Sequence, residues 1–320
     1  MTLTAWVTGA HGFIGRHVAR ECRARGMTVA GVGHGTWDAG EKTRFGLTSW
    51  VRGEVNGASL DLLAARAPAP QILFHLAGGS SVGISVAAPD EDFRRTVTST
   101  AELLRWTARV APGATVVIAS SAAVYGGAAG PERIPETHPC EPCSPYGHHK
   151  RIAERLGEEF AHARGLRVVA VRMFSVYGPH LRKQLLWDLC VRLSKAPETL
   201  ELTGTGSETR DFLHVEDATR LLVDRGIRAA TAEASSSLVT VNGGTGTATS
   251  VRELAEGVSK AWGRPTEIRF TGKVRAGDPP RLVADPSRAI ADGWLPRVPL
   301  REGIAGYVSW FRGVRVPAAS

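Results

Sequence analysis

Short apolar runs rich in β-branched residues alternate with amphipathic helical patterns along the first half of the chain. The apolar runs lie at 3–8, 27–32, 71–76, 114–120 and 166–172, and the helical patterns lie at 13–26, 91–110 and 146–164. A further short strand is predicted at 51–55. Because parallel neighbours need crossover connections, this alternation predicts an α/β fold with a doubly wound parallel sheet.

The pattern loosens after Val171, where clusters of Gly and Pro mark turns. These clusters fall at 178–179, 204–206 and 277–280. We therefore expect a smaller C-terminal α+β lobe on the carboxyl edge of the sheet. The predicted division assigns residues 1–172 plus about 213–242 to the sheet domain, and 173–212 plus 243–320 to the lobe.

Composition and charge limit the classes of function. Hydrophobic residues make up 43% and charged residues 22% of 320 positions, as in ordinary globular proteins. No apolar run approaches the roughly 18 residues of a membrane span, and no leader pattern opens the chain, so we expect a cytoplasmic protein without a membrane partner. The net charge of +8 favours an anionic partner. The Arg residues are scattered along the chain, which favours a phosphate-bearing small molecule over nucleic acid as the partner.

Cysteine is too sparse to define a metal centre. The chain has four Cys, and Cys140 and Cys143 form a CxxC pair without a second pair or a nearby His pair. We therefore expect reduced thiols and no metal site.

A glycine-rich segment, Gly9-Ala-His-Gly12-Phe-Ile-Gly15, links the first predicted strand to the first helix. Glycine there allows a tight turn, a close approach of backbone to a pyrophosphate, and close packing of helix on strand. The spacing is GxxGxxG, and an ordinary βα turn is the alternative interpretation. The strand–turn–helix context favours a dinucleotide site.

A second signal is Tyr146-Gly-His-His-Lys150 within a predicted helix. Residues four apart lie on one helix face, so the Lys150 ammonium is expected to lower the pKa of the Tyr146 phenol for acid–base work. Ser121 follows a strand and can meet substrate at the sheet edge, or it can cap a helix. His148 and His149 are expected on the helix surface, where one of them could line the substrate cleft, and His75 is expected to pack within its strand.

Together these motifs resemble those of the extended short-chain dehydrogenase/reductases, nearest to their NDP-sugar epimerases and dehydratases. The similar segments are 9–15, 74–77, 120–126, 144–150, 172–179 and 210–217. The resemblance implies a Rossmann domain that binds NAD(P), a lobe that binds a nucleotide sugar, and a homodimer formed through the helices at 91–110 and 144–164.

The resemblance also implies roles for individual residues. Tyr146 would be the acid–base, Lys150 would hold the nicotinamide ribose, and Ser121 would bond the reacting sugar oxygen. The expected cofactor site comprises Gly9, His11, Gly12, Phe13, Ile14, Gly15, Gly33, His34, Glu54, Val55, Leu76, Ala77, Gly78, Ala119, Tyr146 and Lys150. The expected substrate site comprises Ser80, Ser121, Ala122, Ser175, Arg210, Arg275 and Asp278, where Arg side chains suit bidentate phosphate contacts.

Some positions depart from the family pattern. Dehydratases carry Asp-Glu where this chain has Ala122 and Ala123, so the resemblance argues against water elimination. Thr96 and Ser175 stand where relatives usually carry Asn. Thr96 can still hydrogen-bond backbone.

The cofactor prediction depends on the end of the second strand. Gly33 occupies the position of the carboxylate that binds the NAD ribose and repels a 2′-phosphate, so NADP(H) is favoured over NAD(H). His34 is the adjacent donor expected for that phosphate, and Arg16 is a further candidate. We therefore expect NADPH-dependent reduction of an NDP-4-keto-6-deoxyhexose. An NDP-sugar 4-epimerase with tightly bound NAD is the alternative, and a catalytically silent nucleotide-binding regulator is a remote one.

Overall fold

The computed structural model describes residues 2–127, 132–232, 238–264, 266–273 and 279–314. Its strands are β1 (Thr4–Thr8), β2 (Thr28–Gly33), β3 (Ser49–Arg52), β4 (Ile72–His75), β5 (Thr115–Ser121), β6 (Arg167–Met173), β7 (Ser175–Tyr177), β8 (Thr199–Leu202), β9 (Thr209–Arg210), β10 (Phe212–His214), β11 (Val239–Gly243), β12 (Thr249–Ser250), β13 (Glu267–Phe270) and β14 (Arg281–Leu282). Its α-helices are α1 (Phe13–Ala24), α2 (Ala39–Arg44), α3 (Gly57–Ala64), α4 (Val82–Ala87), α5 (Pro89–Phe93), α6 (Ser99–Val110), α7 (Pro145–Arg164), α8 (Gln184–Leu193), α9 (Val215–Thr231), α10 (Val251–Trp262), α11 (Ser287–Ala291) and α12 (Leu300–Gly313). A π-helical turn spans Arg94–Thr98 and a 3₁₀ turn spans Ala122–Tyr125.

A seven-stranded parallel sheet forms the centre of the molecule, in the order β11-β6-β5-β4-β1-β2-β3. Side chains of successive residues in a strand point to opposite faces. Trp6 accordingly lies in one buried cluster with residues of α3 and α6, and Val7 lies in another with residues of α1 and α9. Both faces of the sheet are covered by helices, which confirms the predicted doubly wound α/β fold.

The C-terminal part of the chain builds a separate apolar core. Leu189 of α8, Val258 of α10 and Tyr307 of α12 pack together there, beside the parallel pair β8 and β13. This core supports the predicted smaller lobe, although the exact domain boundaries stay a prediction.

Two predicted elements differ from those observed. The strand predicted at 51–55 lies at Ser49–Arg52, because Gly53 follows it and Asn56 caps α3 by accepting from the Ser59 N–H. The helix predicted at 91–110 passes through the π-helical turn before α6. There the hydroxyl of Thr100 donates to the Thr96 carbonyl, and side-chain bonds of this kind compete with the regular helical pattern.

Within the described part of the chain, no helix is both long enough and apolar enough to cross a membrane.

Candidate active site

The glycine-rich segment forms a tight turn between β1 and α1. Gly9 has φ +68°, and a Cβ placed on it would lie 2.9 Å from the Ala77 backbone nitrogen. A Cβ on Gly15 would lie 2.2 Å from the Gly9 carbonyl oxygen. Only glycine therefore fits at these positions. The N-cap of α1 is Gly12, which has no side chain to cap the helix, so the N–H groups of its first turn can bind phosphate oxygens. The turn fits the pyrophosphate of a dinucleotide.

One large cavity, about 1190 Å³, extends from this turn across the carboxyl edge of the sheet. Every predicted cofactor residue lines it, from the glycine turn through Gly33, His34, Glu54 and Val55 to Lys150. The substrate residues Ser80, Ser121, Ala122, Ser175 and Arg210 also line it. Arg275 and Asp278 lie outside the described residues. The structure thus brings the predicted residues together, while the ligand that each one contacts stays a prediction.

Ser121, Tyr146 and Lys150 meet where β5 ends against the start of α7. Ser144 caps α7 by accepting from the Gly147 N–H at 3.2 Å, which fixes the first turn that carries Tyr146. Ser121 hydrogen-bonds to the Tyr146 phenol and also accepts from the Ala123 N–H at 3.2 Å. The capping role that was the alternative for Ser121 is therefore observed, and its predicted contact with the reacting sugar oxygen stays a prediction.

Lys150 contacts the backbone of β5 and lies near the Tyr146 ring. Its Nζ donates to the Ala119 carbonyl at 2.9 Å and lies 5.8 Å from the centre of the Tyr146 ring. Burial lowers the pKa of Lys150 to about 8, against the opposing charges of Asp92 and Glu154. Burial also raises the pKa of Tyr146, the Ser121 hydrogen bond lowers it, and the charge of Asp92 raises it further. The expected lowering of the Tyr146 pKa is therefore not found in the protein alone, where desolvation of the phenol has the largest effect.

A buried network of hydrogen bonds and ion pairs lies next to the site, around Glu154 of α7. The sequence alone did not predict this network. Ser120 donates to Glu154 at 2.6 Å, and Arg172 donates to the same carboxylate through two nitrogens at 2.9 Å each. Glu154 is completely buried. Since Glu154 lies one turn after Lys150 on α7, the network fixes the catalytic helix against β5 and β6.

His75 holds the strand end beside the cofactor turn. Its ring nitrogens lie 2.9 Å from the Thr8 hydroxyl and 3.0 Å from the Thr100 hydroxyl. Thr8 in turn accepts from the N–H groups of Leu76 and Ala77 at 3.2 Å each. His75 is therefore packed, as predicted, and it positions backbone that lines the cavity.

Of the two donors expected for a 2′-phosphate, His34 lines the cavity and Arg16 does not. Arg16 is buried: it donates to the His11 carbonyl at 2.8 Å, contacts His180, and lies over the rings of Trp37 and Phe45. It does not line the cavity, so the suggestion that it would lie near the phosphate is not supported.

Several other side chains became apparent only in the structure. Lys183 lines the cavity, and its Nζ donates to the Ser80 carbonyl at 3.3 Å. Gln184 next to it has φ +65°, which is uncommon for a residue with a side chain.

Thr96 accepts from the Gly79 N–H at 2.8 Å, as predicted for a backbone contact. His148 is exposed as expected, whereas His149 is packed against α5 and does not line the cavity. Its expected surface position is wrong.

Cys143 lies at the edge of the cavity and Cys140 is partly buried. Among the residues that the structure describes, no group of three or more His, Cys, Asp or Glu is placed to hold a metal ion.

Comparison with known proteins identifies the family. A model of the NAD-dependent epimerase/dehydratase family matches residues 5–225, more than half of the chain. The chain belongs to the NAD-dependent epimerase/dehydratase family. It is thus an enzyme of the extended short-chain dehydrogenase/reductases, as the motifs predicted.

Relatives within the NAD-dependent epimerase/dehydratase family cover nearly the whole chain. A UDP-glucose 4-epimerase of Mycolicibacterium smegmatis is 33% identical over 96% of this chain and 97% of its own length. The solved structure of MoeE5 with UDP-glucuronic acid and NAD is 34% identical, has a TM-score of 0.83, and covers 97% of this chain and 99% of that one. The UDP-glucose 4-epimerase of Thermotoga maritima with UDP-glucose is 27% identical, with a TM-score of 0.86 and the same coverage.

Proposed function

We propose that this protein is a 4-epimerase of UDP-sugars that uses tightly bound NAD. The observation that carries the proposal is the meeting of Ser121, Tyr146 and Lys150 in one cavity with the glycine turn. The relatives support the epimerase alternative over the 4-ketoreductase that the sequence favoured, because their names describe 4-epimerases. The reductase reading stays unconfirmed.

NAD is proposed in place of NADP for two reasons. The solved structure of MoeE5 contains NAD, and an epimerase returns the same hydride that it removes, so it needs no exchangeable reduced cofactor. Gly33 offers no carboxylate that would exclude NADP, but the buried Arg16 offers no free phosphate contact either. The predicted preference for NADP therefore has no positive support among these contacts.

Three residues of this chain would each have a separate role in the reaction. Bound NAD would supply the hydride acceptor and donor for C4 of the sugar. Tyr146 would take the proton from the C4 hydroxyl and return it after the sugar has presented its other face. Ser121 would orient the C4 oxygen through its hydroxyl. The Lys150 ammonium would hold the ribose of the nicotinamide.

Two small residues restrict the chemistry to C4. Ala122 is buried and Ala123 lines the cavity, and neither side chain can carry a proton. An elimination of water across C5 and C6 needs an acid and a base there. Arg210, in β9, would bind the diphosphate, and Lys183 is a further cation that lines the cavity. The homodimer through α6 and α7 remains part of this proposal.

The first test is to identify the cofactor and the reaction together. Purified protein is denatured, and the released nucleotide is identified by chromatography and mass spectrometry; we expect NAD. UDP-glucose and UDP-glucuronic acid are then supplied without added cofactor, and anion-exchange chromatography should show the 4-epimer of at least one. Stoichiometric loss of added NADPH with a 4-keto-6-deoxyhexose nucleotide, without epimer exchange, would establish the reductase instead.

A second test addresses Tyr146. Tyr146→Phe should lower kcat by roughly 10²–10⁴-fold, because positioned acid–base catalysis contributes about that much, while bound NAD is retained. His148→Ala changes an exposed residue in the same helical turn and serves as the control. Retention of most activity in Tyr146→Phe would refute the assignment.

A further inference from the structure

A buried carboxylate lies behind the catalytic turn and has no role in the chemistry above. Asp92, on α5, is 3% exposed. Its Oδ2 lies 2.6 Å from Nδ1 of His149, whose side chain is 12% exposed. Since a carboxylate only accepts hydrogen bonds, Nδ1 of His149 donates this one. This hydrogen bond joins α5 to α7, where His149 lies between Tyr146 and Lys150 in the sequence.

The other carboxylate oxygen faces the turn beneath the cofactor site. Asp92 Oδ1 is buried and has no hydrogen-bond partner in the described part of the chain. A Cβ placed on Gly79 would lie 1.8 Å from this oxygen, and one placed on Gly78 would lie 3.3 Å from Lys150 Nζ. The carboxylate, the two glycines and the ammonium therefore lie next to one another, and both glycines line the cavity.

The charge of Asp92 is available to compensate the charge of Lys150, because among the described residues Asp92 has no cationic partner as strong as those of Glu154. The charged and titratable groups that face Lys150 are Asp92 from α5, Tyr146 and Glu154 from α7, and His75 from β4. Burial lowers the pKa of His75 to about 3, so this ring is neutral. Glu154 already accepts from Arg172 and Arg151, whose charges offset its own.

We propose that Asp92, held by His149, is a positioning residue that supports the Gly78–Gly79 turn and keeps Lys150 in its ammonium form. A buried ammonium is costly unless an opposite charge compensates for its lost hydration. Lys150 is buried, and Asp92, which does not line the cavity, provides that charge from α5. The activity readout of this inference rests on the proposed epimerase reaction, whereas the cofactor-binding readout does not.

The test measures how the dissociation constant for NADH depends on pH, by fluorescence, in protein freed of its cofactor. Binding by the wild type should weaken as pH rises through about 8, where Lys150 loses its proton. Asp92→Asn keeps the size and the acceptor for His149 but removes the charge. A neighbouring opposite charge shifts a pKa by about one unit or more, so the midpoint should fall by about one unit and binding at pH 7.5 should weaken roughly threefold.

Matched variants separate a charge effect from a loss of packing. Asp90→Asn, an exposed residue of α5, should leave the midpoint unchanged. His149→Gln keeps an N–H donor for Asp92 and should also retain the wild-type midpoint. Asp92→Ser repeats the loss of charge with a smaller side chain if the amide does not fit beneath Gly79. The kcat profile of the epimerase reaction should shift by the same amount.

An unchanged midpoint in Asp92→Asn and Asp92→Ser, with only a lower melting temperature, would overturn the inference and leave Asp92 a packing residue. A shift in His149→Gln equal to that in Asp92→Asn would overturn the assigned role of His149. If no UDP-sugar is epimerised by the wild type, the proposed function fails, while the NADH measurement still decides the role of Asp92.

Discussion

Mild acid should destabilise this protein through two buried histidines. His17 is 3% exposed and His75 is 2% exposed. The His17 Nε2 donates to the Pro179 carbonyl at 2.9 Å, and His75 bonds to two threonine hydroxyls. Burial lowers the pKa of each ring to about 3, from an ordinary value of 6.5. Both rings are therefore neutral in the folded protein at any pH above about 4.

The sign follows from proton binding by the two states. Between the folded value of about 3 and the unfolded value of 6.5, the unfolded chain binds more protons, so the free energy of unfolding falls as pH falls. One pKa unit corresponds to about 1.4 kcal/mol. At pH 5 each histidine therefore costs about 2 kcal/mol relative to pH 7, and the two together cost about 4 kcal/mol. This is a large fraction of a typical stability of about 5–15 kcal/mol.

Urea unfolding at pH 7 and pH 5, followed by the fluorescence of the eight tryptophans, measures this loss. His17→Asn keeps a donor for Pro179 and should reduce the difference between the two pH values by about 2 kcal/mol. His162→Gln, an exposed residue near the end of α7, is the matched control and should leave it unchanged. A difference below about 1 kcal/mol in the wild type, or one that His17→Asn does not alter, would refute this reasoning.

Three further substitutions test the site. Gly33→Asp should reduce stability and cofactor retention without changing the preference for NAD or NADP, because φ is +155° there and the new Cβ would lie 3.2 Å from the Gly9 backbone. Thermal-shift measurements with both cofactors check this, and a change of preference without loss of stability would contradict it. Arg172→Met should destabilise the fold by about 3 kcal/mol, since it removes two donors from the fully buried Glu154; urea unfolding measures it, and a loss below about 1 kcal/mol would argue that the carboxylate is solvated. Arg210→Ala should weaken UDP binding about ten- to a hundredfold with NAD binding unchanged, as calorimetry would show; unchanged UDP affinity would place the nucleotide-sugar site elsewhere.

The parts of the site that the sequence predicted depend on local spacing. The glycines of the first turn and the Tyr146–Lys150 pair each lie within seven residues of chain. Strand ends of a parallel sheet meet at one edge, so Ser121 and Gly33 could also be placed there from the alternation of elements. All of these residues line one cavity in the structure.

The parts that the sequence did not predict depend on contacts between distant segments. Asp92 and His149 are 57 positions apart, and each looks like a surface residue from periodicity alone. They are buried because α5 packs on the first turns of α7. The pKa of Tyr146 was misjudged for the same reason, since desolvation depends on which elements cover the phenol.

The order in which the site is completed follows from Asp211, which is fully buried between β9 and β10. Its carboxylate accepts from the N–H groups of Thr245, Gly246 and Ala284, at 2.7, 2.8 and 3.2 Å. Arg210 beside it cannot be held in place until residue 284 has been synthesised, whereas the glycine turn and Lys150 lie in the first half of the chain. Because N-terminal segments emerge first, a nascent chain stalled after residue 232 should be unable to bind UDP, and release to full length should restore that binding. Nucleotide-sugar recognition is in this sense a late event in the biogenesis of the enzyme.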